Sequence, residues 1–451
     1  MAMDGTQLGD PVDPREPVQP SSRLDDTLRS ARTAEQVQAI VDALGGTDVV
    51  GVVAARPNPK LGGLEEYSAR PEDYGDMLYM FRRGRILVRD QDLSRVLAVP
   101  NVRVRVPDVP DGINGLTVLE ADDTLATLAA IDGALGTGVG YPDHVVHVTD
   151  GHGGSACPAT EPWPPLEAKP WPTRDAHGSC DGGGVLVALV DAGFDPALAA
   201  DTAWLAGVDG TPELYDPDHI GPYTGHGTFA AGVVRQMAPG CAAYVHGFLP
   251  HGGAQFESDV ILDGFAKALR TAPDIVSISA GTYSREDHGM LGFRVAWEQF
   301  GSKGTAVIAA AGNDGWRKPF FPAADWYAVG VGALVPSADA RAHYSNYGSW
   351  VDCYAIGSDH VNAFPRGTYD YRQPPMKGRF AHFRDGLARW SGTSFSTPLV
   401  SGVVAARMTW SGESGREAAQ SVLRLARENA RPHVGAIVEP WMACKPDGQC
   451  Q

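Results

Sequence analysis

Trp390-Ser391-Gly392-Thr393-Ser394-Phe395-Ser396-Thr397-Pro398-Leu399-Val400-Ser401-Gly402 is the stretch on which the reading of the chain turns. From Pro398 to Met408 the residues are small and apolar, interrupted only by Ser401, Gly402 and Arg407. A helix that is apolar nearly all round belongs inside a protein. Proline suits its first turn, where a missing N–H has no partner to lose. Ser394 therefore stands where a buried helix begins, near free amide N–H groups and the positive end of a helix dipole. A hydroxyl held on such a rigid element is well seated for nucleophilic attack. The same residues also read as a Gly-Thr-Ser turn capping an ordinary core helix, so the rest of the chain has to decide.

The chain has 451 residues, enough for two domains. Hydrophobic residues make up 43% and charged residues 20%, which allows a large core and argues against global disorder. The formal net charge of −17 speaks against nucleic acid and anionic membranes as partners, since both select a basic footprint. No run of about 18 apolar residues marks a membrane span. Residues 1–23 are acidic and proline-rich without an apolar core, unlike a secretory leader. The expectation is a cytoplasmic protein, with secretion left open if a leader has been removed.

Six cysteines, Cys157, Cys180, Cys241, Cys353, Cys444 and Cys450, are too sparse for a disulfide scaffold. Free thiols are expected, with Cys157–Cys180 and Cys444–Cys450 as the pairs an oxidising compartment would permit. His152, Cys157, His177 and Cys180 match no zinc spacing, so no metal is expected.

Residues 24–44 show helical periodicity, followed by an apolar run at 49–54 and a Pro/Gly/acid-rich loop at 56–76. Strands are then expected at 85–89, 102–106, 116–120 and 144–149, with helices at 92–99 and 124–135, the latter N-capped by Thr124. The order β-α-β-β-α-β is that of a small ferredoxin-like α+β unit. Residues 151–182 collapse into Gly, Pro and polar residues, which predicts an extended, poorly packed, protease-accessible linker.

From residue 183 the texture changes. Residues 185–190 form a continuous apolar run, as in a strand buried on both faces of a parallel sheet. Strands at 243–248, 275–279, 306–310 and 327–331 alternate with helices at 226–235, 258–269 (with Ser258 as N-cap) and 293–300. That alternation predicts an open parallel sheet with helices on both faces, whose sites lie at the carboxyl ends of its strands. The expected division is therefore 1–79 leader and helical segment, 80–150 α+β domain, 151–182 linker and 183–451 α/β domain.

Asp191 ends the strand Val187-Ala188-Leu189-Val190. His226 opens a helix between two glycines, in Thr224-Gly225-His226-Gly227-Thr228. Asn313 follows another strand, in Ala309-Ala310-Ala311-Gly312-Asn313-Asp314-Gly315. Each alone reads as a turn former, a cap or a structural histidine. Together, Asp, His and Ser occur in the chain order of subtilisin. Six segments, VALVDAGFD (187–195), GHGTFAAG (225–232), IVSISAG (275–281), AAAGNDG (309–315), YSNYGSWVD (344–352) and GTSFSTP (392–398), make residues 183 to about 430 resemble a subtilisin-like serine protease of the subtilase family, peptidase family S8.

The resemblance implies roles residue by residue. Ser394 is the expected nucleophile, His226 its general base and Asp191 the group that orients the imidazole. Asn313 and the Ser394 backbone N–H form the expected oxyanion hole. Ser277, Ser279, Ala280 and Gly281 are the expected rail on which substrate backbone pairs, with residues 252–256, Gly253 among them, as the opposite rail. Gly281, Thr282, Ala310, Ala311 and Gly312 are the expected lining of the pocket for the residue before the cut.

Four departures from the family pattern stand out. Phe229 replaces a second histidine. Residues 227–240 leave no room for a calcium loop within the helix. Trp316, Arg317, Lys318, Phe320 and Phe321 reshape the specificity pocket, in which Asp314 would favour a basic residue. Residues 359–389 are expected as an exposed hairpin near the site.

The implied function is a serine endopeptidase acting on a peptide or protein substrate without a cofactor. It would be made as a zymogen with its own N-terminal domain as intramolecular inhibitor, or serve as a dedicated processing protease. A peptide-binding regulator with this fold and weak or no catalysis is the alternative.

Overall fold

A computed structural model describes Pro11 and residues 26–58, 63–107, 113–148, 160–174, 180–248, 253–373 and 376–444. The N-terminal unit runs α1 (Asp26–Ala43), β1 (Val50–Asn58), β2 (Gly63–Ser68), β3 (Met77–Arg89), α2 (Leu93–Leu97), β4 (Val104–Arg105), β5 (Leu116–Ala121), α3 (Thr124–Leu135) and β6 (Gly140–Val148). Four of its strands lie antiparallel in the order β6-β3-β5-β4. Alternating apolar residues build the core beneath them, with Ile86, Val88, Leu119, Leu128 and Ile131 all buried. Asp123, not Thr124, caps α3 by accepting from the Ala126 N–H, and the Thr124 hydroxyl accepts instead from the Gly84 N–H.

The expected boundary after residue 79 falls inside β3. The apolar run Met77–Phe81 extends that strand toward its N-terminus, and β1 pairs with it from Val50↔Arg82 to Ala54↔Met77. β2 continues the sheet beyond β1. The apolar run at 49–54 thus has a strand partner that the loop-like composition of 56–76 conceals.

The second unit runs β7 (Leu186–Asp191), α4 (Pro196–Asp201), β8 (Val208–Gly210), α5 (His226–Met237), β9 (Ala242–Gly247) and β10 (Ala254–Phe256). A helical stretch follows, made of α6 (Glu257–Val260), a π-turn (Ile261–Phe265) and α7 (Ala266–Arg270). Then come β11 (Ile275–Ile278), β12 (Ala280–Gly281), α8 (Leu291–Phe300), β13 (Ala306–Ala310), β14 (Ala328–Leu334), β15 (Cys353–Ile356), β16 (His360–Ala363), β17 (Gly367–Asp370), β18 (Phe380–Phe383), β19 (Leu387–Trp390), α9 (Thr393–Ser411) and α10 (Gly415–Glu428). Seven strands form one all-parallel sheet in the order β15-β14-β13-β11-β7-β9-β8. The near-continuous apolar strands are buried between helices: α5, α9 and α10 belong to one core, α7 and α8 to the other.

The helix of the opening stretch starts earlier than its apolar run suggests. α9 begins at Thr393, so Pro398 lies in its second turn and Ser394 in its first. Proline offers no N–H to the carbonyl four residues back. The Ser394 carbonyl accepts instead from the Ser279 hydroxyl at 3.1 Å.

Three expectations change here. Residues 160–174 of the expected linker are strapped onto the second unit. Trp163 is buried and exchanges backbone hydrogen bonds with Arg389, and Trp171 does so with Val361. Residues 151–159 and 175–179 of that linker lie outside the described residues. Residues 359–389 form two short antiparallel ladders, β16 with β19 and β17 with β18, rather than an exposed hairpin. Their aromatic residues Phe364, Tyr369, Tyr371 and Phe383 join the core around Trp390. Finally, Cys180 is bonded to Cys444, not to Cys157, and closes a sequence separation of 264 residues. Cys241 and Cys353 are free and buried.

Candidate active site

Two strand ends and two helix starts converge. Asp191 closes β7 and His226 opens α5, so the carboxyl end of the sheet faces the helix's first residue. The left-handed turn at Gly225, with φ +81°, brings the chain into α5 at that point. A side chain there would also collide with Pro365, whose Cδ would lie 2.2 Å from an added Cβ.

His226 Nδ1 lies 2.6 Å from Asp191 Oδ1, and both side chains are buried. The other ring nitrogen, Nε2, is buried without a hydrogen-bond partner among the described residues. The imidazole is packed by Trp390, edge-on at 5.5 Å, and by Phe395 at 5.4 Å. Phe229 stacks behind them, 4.5 Å from Phe395, so the residue that replaces a histidine serves packing. α5 runs from His226 to Met237 without interruption.

Asn313 is anchored from α9. Its carbonyl oxygen accepts from both the N–H and the hydroxyl of Thr393, at 2.8 and 2.9 Å. An amide held by its oxygen presents its N–H groups on the opposite edge. The Thr393 hydroxyl also accepts from the Gly312 N–H. Asn346 ties the same turn by donating to the Ala311 carbonyl and accepting from the N–H groups of Asp314 and Trp316. The strand ends carrying Asp191 and Asn313 therefore meet the helix starts carrying His226 and Ser394.

The expected substrate residues divide. Ala280 and Gly281 form β12, which pairs not with the parallel sheet but with β6, in the register Ala280↔Val148 and Gly281↔His147. On the other side of β6, β10 pairs Ala254↔His147, Gln255↔Val146 and Phe256↔Val145. Gly253 accepts the Val148 N–H at 2.8 Å; of the residues on that rail, Gly252 lies outside the described ones. Ser277 does not belong to the rail. Its backbone pairs with β7 and β13 inside the parallel sheet, and its hydroxyl accepts from Ser401 of α9. Ser279 turns its hydroxyl to the Ser394 carbonyl. Phe320 is buried against Gly281 and Gly312, Thr282 pairs its backbone with Phe321, and Ala310 and Ala311 are buried at and just past the end of β13.

Asp314 is not open to a basic substrate side chain. Its carboxylate accepts from the Tyr283 hydroxyl, and the residue is buried. Sequence reasoning missed Glu213, which carries no motif. Its carboxylate accepts from the Gly225 N–H at 2.8 Å, and burial pushes it up to about 7. It lines a cavity of about 650 Å³ with Thr224, Tyr223, Phe248 and Gln255.

The N-terminal unit is tied to this region by more than β6. Asp143, fully buried in β6, accepts from the N–H and hydroxyl of Ser258 and so caps α6 from outside the second unit. The expected N-cap role of Ser258 thus passes to Asp143, which reaches the helix only in three dimensions. His144 meets Glu257 at 3.1 Å. α1 reaches the ladders at 359–389 through Arg32 to Gln373 and Glu35 to Lys377.

The model of the subtilase family matches residues 182–433, more than half of the chain. Among curated proteins, the chain is 30% identical over 253 residues to a thermophilic serine proteinase of Bacillus sp. (strain AK1), covering 53% of this chain and 56% of that protein. It is 28% identical over 277 residues to thermitase of Thermoactinomyces vulgaris, covering 58% and 86%. The match spans little more than half the length of the first of these relatives. Among solved structures, a lanthipeptide protease superposes with a TM-score of 0.45 at 19% identity, covering 58% of this chain and 88% of that one.

Proposed function

The chain belongs to the subtilase family, and from that premise we propose that it is a serine endopeptidase made as a precursor, with its own N-terminal unit seated in the cleft. The observation that carries this reading is the position of β6. Its last residues run between β10 and β12 and hydrogen-bond to both, as an extended peptide does when it adds a strand to two free edges.

In this reading Ser394 Oγ attacks the carbonyl carbon of a substrate peptide. His226 Nε2 takes the hydroxyl proton, while Nδ1–H remains on Asp191, which fixes the tautomer and stabilises the imidazolium. The aromatic cage of Trp390, Phe395 and Phe229 limits the ring to that orientation. The developing oxyanion is met by the Asn313 amide and the Ser394 backbone N–H. One such donor is worth on the order of 10²–10³ in turnover, a value measured in a subtilisin. The imidazolium returns its proton to the leaving amine, and water then hydrolyses the acyl-enzyme by the same steps.

The Cys180–Cys444 bond weighs toward an oxidising compartment, since such bonds seldom persist in a reducing cytoplasm. It favours an exported enzyme over a cytoplasmic one.

A fluorophosphonate probe tests the assignment. After the N-terminal unit has been cut away, the wild type should be labelled and Ser394→Ala should not. An unlabelled wild type would instead favour a peptide-binding protein built on a protease fold.

A further inference from the structure

An endopeptidase needs a slot for the side chain that precedes the cut. Here the walls available are residues 279–281 and residues 310–312, which bracket the start of α9. Each wall ends in a glycine, Gly281 and Gly312, which leaves room beside the backbone for an incoming side chain.

That space is already filled. Phe320 is fully buried, and its ring lies against both glycines. A Cβ added at Gly281 would meet Phe320 Cε1 at 2.4 Å, and one at Gly312 would meet its Cγ at 3.2 Å. The ring is edge-on to Tyr283 at 5.1 Å and to His147 of β6 at 6.2 Å. It has little freedom to swing aside, because the next residue, Phe321, exchanges both backbone hydrogen bonds with Thr282 at 2.9 Å. Behind the ring, Tyr283 donates to Asp314 and accepts from Asn346, which removes the acid from the slot.

We propose that Phe320 is a specificity-determining residue that closes the slot between Gly281 and Gly312, so that the enzyme cuts after small residues (Gly, Ala, Ser or Thr) and rejects aromatic, long aliphatic and basic ones. The proposal rests on the endopeptidase reading above and narrows its substrate class. A rigid ring in a packed slot acts by steric exclusion, which costs a large side chain more than a missing contact costs a small one.

The test is cleavage of a mixed peptide library by the enzyme freed of its N-terminal unit, for wild type, Phe320→Ala and the milder Phe320→Val. Wild type should cut after Ala at a kcat/KM on the order of 100-fold above that after Phe. Both variants should shift toward Leu, Met and Phe, so that the ratio of kcat/KM after these residues to that after Ala rises by on the order of tenfold or more. Because two variants of different size are used, misfolding of one leaves the other to report. A wild-type profile dominated by large or basic residues, or a folded variant whose profile matches wild type, overturns the proposal. Failure of the endopeptidase reading shows itself differently, as wild type that neither takes the fluorophosphonate nor cuts any peptide, and that result sinks both.

Discussion

Val148 donates its backbone N–H to the carbonyl of Gly253 at 2.8 Å, and on its other side it is paired with Ala280. One residue of the N-terminal unit is thus clamped by two segments of the second unit that have no other strand partner among the described residues. The relationship makes β6 both a strand of the N-terminal sheet and the strand that joins β10 to β12.

The first consequence concerns processing. The full chain should cut itself shortly beyond β6, yielding a new N-terminus between residues 149 and 159, and Ser394→Ala should remain intact. Mass spectrometry of the purified products reads the outcome. A wild-type chain that stays whole and fully active would overturn the precursor reading.

Val148→Pro removes the donor to Gly253 while leaving the rest of β6 in place. Losing one such bond costs about 1–3 kcal/mol, so the cleft of the uncut chain should open more often. Fluorophosphonate labelling of uncut Val148→Pro should be roughly tenfold faster than that of the uncut wild type. An unchanged rate would mean that β6 does not control access.

Thr393→Val keeps the shape of a fully buried side chain and removes the hydroxyl that holds Asn313 and Gly312. The Asn313 amide loses half of its anchor. Turnover should fall by about tenfold with KM little changed, the pattern of a group that acts only in the transition state. A purely structural role for Thr393 would lower stability and leave kcat of the folded fraction intact.

Asp143 supplies a pH test. Burial pushes its carboxyl up to about 7, against the hydrogen bonds from Ser258 and the charge of Arg82 that pull it down, with Glu257 adding to the rise. An acid whose folded pKa is raised contributes its stability when protonated. That contribution is complete below the unfolded value of about 4 and is lost as pH rises to about 7. The stability of Ser394→Ala relative to Ser394→Ala/Asp143→Asn should therefore fall between pH 4 and 7 by at most about tenfold per pH unit in the folding constant, then level off. Denaturant unfolding across that range measures it; parallel curves would show that Asp143 does not titrate there.

Much of the second unit is legible in the chain because its strands are buried on both faces. Residues 185–190, 275–279 and 306–310 are apolar without alternation, and periodicity alone marks them as inner strands of a parallel sheet. Asp191, His226, Asn313 and Ser394 are legible as a set because each follows a strand end or opens a helix. Glu213 and Thr393 are legible only in part. Glu213 sits in a loop with no pattern, and the distance that matters, to Gly225, is spatial. Residues 160–174 read as a linker for a general reason: proline-rich composition reports the absence of regular hydrogen bonding, while Trp163 and Trp171 pack well without it. The aromatic residues at 364–383 show the converse, since a surface insertion and a buried ladder have the same local composition.

The sequence by itself determined the parallel sheet, the buried helix that carries Ser394, and the identity of the residues assembled around it, because these depend on local periodicity and on short motifs. Only the tertiary structure decided that Ser279 replaces the hydrogen bond Pro398 cannot make, that Phe320 fills the slot between two glycines, that Cys180 meets Cys444, and that β6 lies between β10 and β12. Each of these joins residues far apart in the chain. No local propensity encodes such a meeting; it follows from how the two units pack.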